Sequence, residues 1–271
     1  MHWHKCETQK NTMQPKEGDC MLTSTFIHLP RVGEKTERRW WKMGINSWRN
    51  WLKAYDMGWF AKFQLRSKWR KLIERSIAEL ENGNASFFAE LLPRQEYWRC
   101  YREFKGRTVF LDIETTGRSP WDYITVVGIY DGHRYTPFVH NHNLNKCIEA
   151  LHDKAIIVTF YGSAFDLPFL RRSFPNIYFP PIHIDLCYLL KRLGYKGDLK
   201  AIERQLGIRR DKEIVGLSVM DAVQLWMRYK HGNDVNALRL LIKYNRADVV
   251  NLKPLMDFAY HEMARRVRGV S

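Results

Sequence analysis

The sequence predicts an α/β protein in which a mixed sheet is flanked by helices and preceded by a small, basic, all-α domain. Three observations carry this. Eight of the ten Trp lie before residue 101, in a stretch rich in Lys and Arg where Trp recurs near helical spacing. From Thr108 onward the composition becomes β-rich. The order of the later segments is strands first, then a βαβ stretch, then helices, which is the pattern of a mixed sheet covered by helices. With 271 residues, 45% of them hydrophobic, the chain has enough apolar material for one large domain or two modest ones.

Residues 1–20 read as a polar extension, expected to be disordered, and Met21 opens the first apolar run. Residues 21–104 make the basic, Trp-rich domain. Helices are predicted there over 34–43, 46–55, 59–81 and in two short pieces within 86–102, with Pro93 opening the last. The third region, 105–265, begins with Thr108-Val109-Phe110-Leu111, which reads as a central strand. Tyr123 to Tyr130 is the next strand, Asp131-Gly132 its hairpin turn, and Arg134 to Val139 its partner. A helix is expected near 144–153, a strand over 155–160, a helix over 164–173 and a short strand from Ile182 to Ile184. Helices follow near 186–193, 198–206, 218–230 and 235–262, with Pro254 placed to kink or break the last.

Lys and Arg number 44 against 29 Asp and Glu, a net charge of +15. An excess of that size points to a polyanionic partner, nucleic acid first and an acidic membrane surface second. No apolar run is long enough to span a bilayer and no signal-peptide pattern is present, so a cytoplasmic protein without membrane attachment is expected. The five cysteines (Cys6, Cys20, Cys100, Cys147, Cys187) are odd in number and dispersed. That argues against a disulfide framework and fits a reducing compartment. His2, His4, Cys6 and Cys20 match no common zinc spacing, so the polar-tail reading stands ahead of a metal site.

The chemistry centres on carboxylates. In Asp112-Ile113-Glu114-Thr115-Thr116-Gly117 the two acids are two residues apart on a strand and project to the same face. Side by side they repel each other and lose hydration, and a divalent cation relieves both costs. A second acid, Asp166, stands in Tyr161-Gly162-Ser163-Ala164-Phe165-Asp166-Leu167-Pro168-Phe169-Leu170, among apolar residues that partly desolvate it. A third segment, Tyr244-Asn245-Arg246-Ala247-Asp248, places Tyr244 and Asp248 on one helical face. Each has a bland reading when taken alone: a solvated loop, a helix cap and a surface acid. Asp185 reads as the cap of the following helix, and Cys187 as a small core residue.

Taken together the three segments form an ordered set that resembles the DEDD exonuclease superfamily, which includes the proofreading domains of DNA polymerases. The likeness is greatest to bacterial YprB-like predicted exonucleases of the ribonuclease-H-like group. It covers about residues 106–262 and extends to Leu199-Lys200-Ala201-Ile202-Glu203, Leu206-Gly207-Ile208 and Asp248-Val249-Val250-Asn251-Leu252. The resemblance implies a ribonuclease-H-like fold and a metal-dependent 3′→5′ exonuclease acting on a single-stranded 3′ end. It implies that Asp112, Glu114, Asp166 and Asp248 are the metal-binding acids. Tyr244 matches the tyrosine of the DEDDy subclass, since Lys243 stands where the other subclass has His. The ions would be two Mg²⁺ or Mn²⁺, suited to oxygen ligands and able to clamp a phosphodiester about 3.5–4 Å apart, with Tyr244 orienting the attacking water. Tyr161 departs from the pattern: many relatives have Asn there, near the substrate strand.

The front end carries a second set of candidates. Phe26-Ile27-His28-Leu29-Pro30-Arg31-Val32-Gly33-Glu34-Lys35-Thr36 looks like a helix-hairpin-helix element, with Arg31, Gly33 and Lys35 as phosphate-contacting candidates at a helix N-terminus. Arg31 stands where such turns usually have a second Gly, and a plain structural turn is an equal reading. Arg66, Lys68, Arg70, Lys71 and Arg75 could line a nucleic-acid backbone or form a solvated face. Trp40, Trp41, Trp48, Trp51 and Trp59 read mostly as core, with one or two free to stack on bases. Two other functional readings stay open on the sequence: a non-catalytic nucleic-acid-binding module on a retained ribonuclease-H-like scaffold, and a structure-specific endonuclease.

Overall fold

The β-rich run at Thr108 becomes the middle of a five-stranded mixed sheet in the computed structural model, which describes residues 20–269. The expected disordered extension lies outside the described residues, as do all but Cys20 of the tail residues weighed as metal ligands. The strands are β1 (Thr108–Thr115), β2 (Ile124–Tyr130), β3 (Tyr135–Val139), β4 (Ile156–Thr159) and β5 (Ile182–Asp185), in the order β3-β2-β1-β4-β5. β2 is antiparallel to β1 and β3, whereas β4 and β5 run parallel to β1. The hairpin between β2 and β3 turns at Asp131, whose side chain accepts from the His133 and Arg134 amides.

The two ends of β1 differ, and that difference makes room for a site. β1 pairs with β4 only from Thr108 to Phe110, and its register with β2 shifts between Glu114 and Thr115. Backbone donors beyond Phe110 on the β4 side therefore need other partners. Side chains alternate across the sheet. Val109, Leu111 and Ile113 pack in one cluster with Leu167, Phe169 and Leu170, while Phe110 faces the opposite cluster with Val249 and Leu252.

Nine α-helices accompany the sheet among the described residues: α1 (Glu34–Lys42), α2 (Trp48–Asp56), α3 (Arg66–Glu81), α4 (Ala85–Leu91), α5 (Asp166–Ser173), α6 (Leu186–Leu193), α7 (Leu199–Gln205), α8 (Val219–Gly232) and α9 (Val235–Arg268). α6 starts where Asp185 caps it through the Cys187 amide and stops at Gly194, whose left-handed φ of 101° ends the helix. α9 runs through Pro254 without a break. That residue is exposed, so the hydrogen bond it forfeits lies on the solvent side. Two expectations need correction. The helix expected over 59–81 begins only at Arg66, because Gly58, at φ 80°, ends the preceding helix and residues 57–65 form successive turns. The helix expected near 144–153 is two short 3₁₀ turns, Leu144–Cys147 and Glu149–Leu151, closed by i→i+3 bonds such as Lys146 to Asn143.

The front-end helices pack around aromatics. Trp40 lies edge-on to Phe26, Phe60 and Trp69 at ring-centroid distances of 5.2, 5.4 and 5.6 Å, while Trp48 stacks on Phe88 and Trp51 on Phe60. Trp59 is the exception, half exposed. Arg99, fully buried, bonds Glu96 at 2.7 Å and Glu37 at 3.0 Å. A buried guanidinium is tolerable only when paired in this way. The helical region is not walled off from the sheet. Trp98 packs on Tyr260 of α9, Tyr101 donates to Asp257 at 2.9 Å, and the Met21 amide donates to Tyr260 at 3.0 Å.

Candidate metal centre and nucleic-acid interface

Strand alternation puts Asp112 and Glu114 on the face of β1 that packs against α9. Helical periodicity brings Asp248 and Tyr244 of α9 toward the same point. The oxygens of Asp112, Glu114 and Asp248 lie within 4.8 Å of one another. Asp166, first residue of α5, reaches in from the other side and accepts from the Ile113 amide at 3.0 Å. It is not a helix cap: its carboxylate takes a strand N–H beyond the end of the β1–β4 pairing. Glu114, Asp166 and Asp248 are almost wholly buried and Asp112 is half-buried.

Burial is the main cause of the electrostatic stress. It drives the Asp112 and Glu114 carboxyls far above the ordinary carboxylate range, with the charges of Asp166, Asp248 and each other adding to the effect on Asp112. On Glu114, burial and Asp248 act upward while the Asn245 amide acts downward. Burial lifts Asp166 to about 7, against the Ile113 hydrogen bond, and lifts Asp248 to about 6, against the Arg210 guanidinium.

Several residues that the sequence did not single out complete the site. The Asn245 amide donates to Asp112 Oδ2 at 3.0 Å and to Glu114 Oε1 at 3.4 Å, and its oxygen accepts from Tyr135 at 2.8 Å. Asn245 can approach the sheet because Gly128 lies opposite Asp112. A Cβ there would fall 1.9 Å from Asn245 Oδ1. Lys200 donates to Tyr244 Oη at 2.9 Å and to the Leu217 carbonyl. Arg210 bonds Glu203 with two nitrogens and ion-pairs with Asp248. The Arg210 guanidinium lies 2.5 Å from Asp248 Oδ1, so this acid meets a fixed positive charge. Glu203 and Lys200 sit in a stretch that carried the family resemblance. Gly128, inside a strand, is the kind of glycine that marks close backbone approach.

The donor set fits a hard divalent cation: three carboxylates in one pocket and a fourth adjacent, all raised chiefly by burial with neighbouring carboxylates adding to it.

A family model described as the RNase H superfamily matches residues 109–260, more than half of the sequence. The chain belongs to the RNase H superfamily. Among solved structures, the fold is similar to the family B DNA polymerase of the hyperthermophilic archaeon Pyrobaculum calidifontis, with a TM-score of 0.46 and 16% identity over 56% of this chain and 24% of that one. The chain thus spans about a quarter of that polymerase. No curated protein matches the sequence. Superfamily membership and the acidic cluster together support a nuclease-type activity on nucleic acid, with Asp112, Glu114 and Asp248 as a candidate divalent-metal site.

The front-end candidates of this RNase H superfamily chain lie on two elements, the turn that opens α1 and helix α3. Arg31, Gly33 and Lys35 are exposed at the start of α1, and Arg31 adopts φ 61°, the left-handed conformation that a Gly would take. The preceding turn is wired into the core: Trp69 donates to the Pro30 carbonyl, and buried His28 meets Ser76. Burial pushes the His28 imidazole down to about 3. Glu34, exposed in the first turn of α1, competes with a phosphate for the helix N-terminus, while Glu37 in the same turn is buried against Arg99 and the Phe26 amide. On α3, Arg66 caps the Ala61 carbonyl and Arg70 is held by Asp56 and Glu74. Lys68 and Lys71 are exposed and have no carboxylate partner among the described residues. No helix among the described residues is long and apolar enough to cross a membrane.

Proposed function

We propose that the chain is a metal-dependent 3′→5′ exonuclease of the DEDDy subclass, similar to the YprB-like exonucleases. It would hydrolyse phosphodiester bonds at a single-stranded 3′ end of DNA or RNA. The observation that carries this reading is the convergence of Asp112, Glu114 and Asp248, from segments more than 130 residues apart, with Asp166 alongside. A binding module would have no reason to bear the cost of three clustered, mutually repelling acids, two of them buried. Asp112, Glu114, Asp166 and Asp248 would hold two ions, Mg²⁺ or Mn²⁺. Bound there, the ions supply the positive charge that makes water a nucleophile and offsets charge on the phosphate.

The protein's own groups have separate tasks in this scheme. Asn245 fixes the separation of the Asp112 and Glu114 carboxylates, so that the site exists before a cation arrives. Tyr244 orients the attacking water. Its oxygen already accepts from Lys200, which leaves its own proton to donate. Burial, with the carboxylates of Asp248, Glu114 and Asp112, holds its hydroxyl well above the ordinary tyrosine range. Tyr244 therefore acts as a hydrogen-bond donor and not as a base. Lys68 and Lys71, with Arg31 and Lys35, supply non-specific attraction for the backbone.

The test is digestion of matched DNA and RNA oligonucleotides, labelled at the 5′ end, in Mg²⁺ or Mn²⁺, beside a covalently closed single-stranded circle. The expected result is a ladder shortening from the 3′ end with the circle intact. Cutting of the circle would assign an endonuclease, and inert substrates in both metals would assign a binding module.

A further inference from the structure

We infer that the cleft at the β5 edge of the sheet is a nucleotide subsite, holding one nucleotide of the substrate strand by stacking its base and pairing its phosphate. The cleft, about 480 Å³, is formed between the 3₁₀ turn Arg94–Cys100, α5, β5 and α6. That volume suits a nucleotide, at the lower end of the range for small-ligand sites. It exists because the front-end helical region covers an edge strand that would otherwise be open.

The lining is chemically suited to that occupant. Arg94, Arg171 and Arg192 all face the cleft, against Asp185 as the one carboxylate in its wall. Asp185 is already committed, accepting from the amides of Tyr161, Ser163 and Cys187. Arg192 is paired with Glu96. Arg94 and Arg171 are exposed and have no carboxylate partner among the described residues. Burial holds the His183 imidazole in the cleft wall below its ordinary range, against the Asp185 carboxylate, and the charges of Arg171 and Arg94 act in the same direction as burial. The cleft therefore presents two guanidinium groups without a carboxylate partner, Arg171 lying over the Phe179 ring at 5.3 Å, and guanidinium is the group best suited to phosphate.

Tyr188 supplies the flat surface. It lines the cleft and is 49% exposed, and Tyr161 stands beside it, 51% exposed, with ring centroids 6.4 Å apart and an interplanar angle of 35°. Two large exposed aromatics in contact, next to two arginines that lack a carboxylate partner, are the elements of a single-strand platform. Tyr161 is held at φ 63°, where a non-glycine residue is strained, by the Asp185 hydrogen bond and the close approach of Gly162 to Thr159. Only the loop 161–165 separates the cleft from Asp166, and Leu167, next in sequence, lines it. A strand with its 3′ end at the acids would cross Tyr161 and Tyr188 and place an upstream nucleotide in the cleft. The direction of that strand rests on the exonuclease reading; the subsite does not require cleavage.

The test is fluorescence anisotropy of a labelled single-stranded oligonucleotide in chelator, for the full chain and its Tyr188→Ala, Tyr188→Phe and Arg171→Gln variants, each with a melting curve. Tyr188→Ala should weaken binding roughly tenfold, as loss of one stacked base does, and Tyr188→Phe should restore it. Arg171→Gln should weaken binding and make the logarithmic salt slope shallower by about 0.7, the value for one phosphate on a single strand. Folded variants that bind like the wild type, with equal salt slopes, would overturn the subsite. Free nucleoside 5′-monophosphate binding as tightly as the oligonucleotide would also overturn it, since the cleft would then serve a mononucleotide. Because no metal is present, loss of binding in these variants from a protein that never cleaves would refute the exonuclease reading and leave the subsite standing.

Discussion

At the scale of single residues, the acids carry the proposed chemistry and a stability signature. Asp166 and Asp248 hold their protons up to about pH 7 and 6 in the folded, metal-free protein, whereas the unfolded chain releases them near the ordinary value of 3.8. Between those limits the folded state binds more protons, so its stability falls as pH rises. The metal-free protein should therefore unfold more easily in urea at pH 8 than at pH 5.5. Asp166→Asn should be more stable than the wild type at pH 8, by on the order of 2–4 kcal/mol, and the advantage should vanish near pH 3.5. A stability curve flat across this window would contradict the electrostatic account. Tyr244 makes a second residue-scale prediction. Tyr244→Phe should lower the single-turnover rate about a hundredfold, the cost of losing a positioned water, while metal and strand affinity stay unchanged. An unaltered rate would remove its hydroxyl from the chemistry.

At the scale of elements, the site depends on how closely α9 approaches the sheet. Gly128→Ala would bring a methyl to 1.9 Å from Asn245 Oδ1 and 2.8 Å from Val249 Cγ2, so either Asn245 or the helix must move. The expected cost is about 1–3 kcal/mol of stability, with a larger fractional loss of activity. In an Asn245→Ala background the same change should cost less, and a double-mutant cycle by urea unfolding measures that difference. Additivity of the two substitutions would mean that Gly128 plays no part in seating Asn245. This level also shows how much could be read without coordinates. Period-two and period-3.6 patterns located all five strands and most helices within a few residues, because one face of each is buried. They overran at 59–65, where Gly58 breaks the helix, and at 144–153, where short 3₁₀ turns carry the same apolar spacing as a helix. The acids and Tyr244 stood out because their order along the chain resembles the DEDD exonucleases; taken one at a time each had a bland reading. Asn245, Lys200 and Arg210 did not. Their partners, Asp112, Tyr244 and Asp248, lie 38 to 133 residues away, and no local pattern encodes that pairing.

At the scale of the whole molecule, the helical region and the RNase H superfamily region share one core. Cutting before Phe104 would strip Met21, Trp98 and Tyr101 from α9 and leave Tyr260 and Met256 uncovered. A chain beginning at Phe104 should therefore melt at a markedly lower temperature than the full protein. An equal melting point would show the sheet region to be self-sufficient. The electrostatic share of the helical region is better measured in the full chain. Lys68→Gln and Lys71→Gln should each flatten the salt dependence of strand binding, whereas Arg70→Gln should not, because Arg70 is already held by Asp56 and Glu74. Equal slopes for all three would assign α3 a purely structural role. The central claim, that the buried acids of β1, α5 and α9 cut phosphodiester bonds with bound divalent ions, is tested most directly by one paired measurement. Cleavage of an end-labelled single strand in Mn²⁺ is followed for the wild type and for Asp112→Ala and Asp166→Ala, each verified as folded by its circular dichroism spectrum. The account predicts cleavage by the wild type and none above background by either variant; folded variants that cut at the wild-type rate would contradict it.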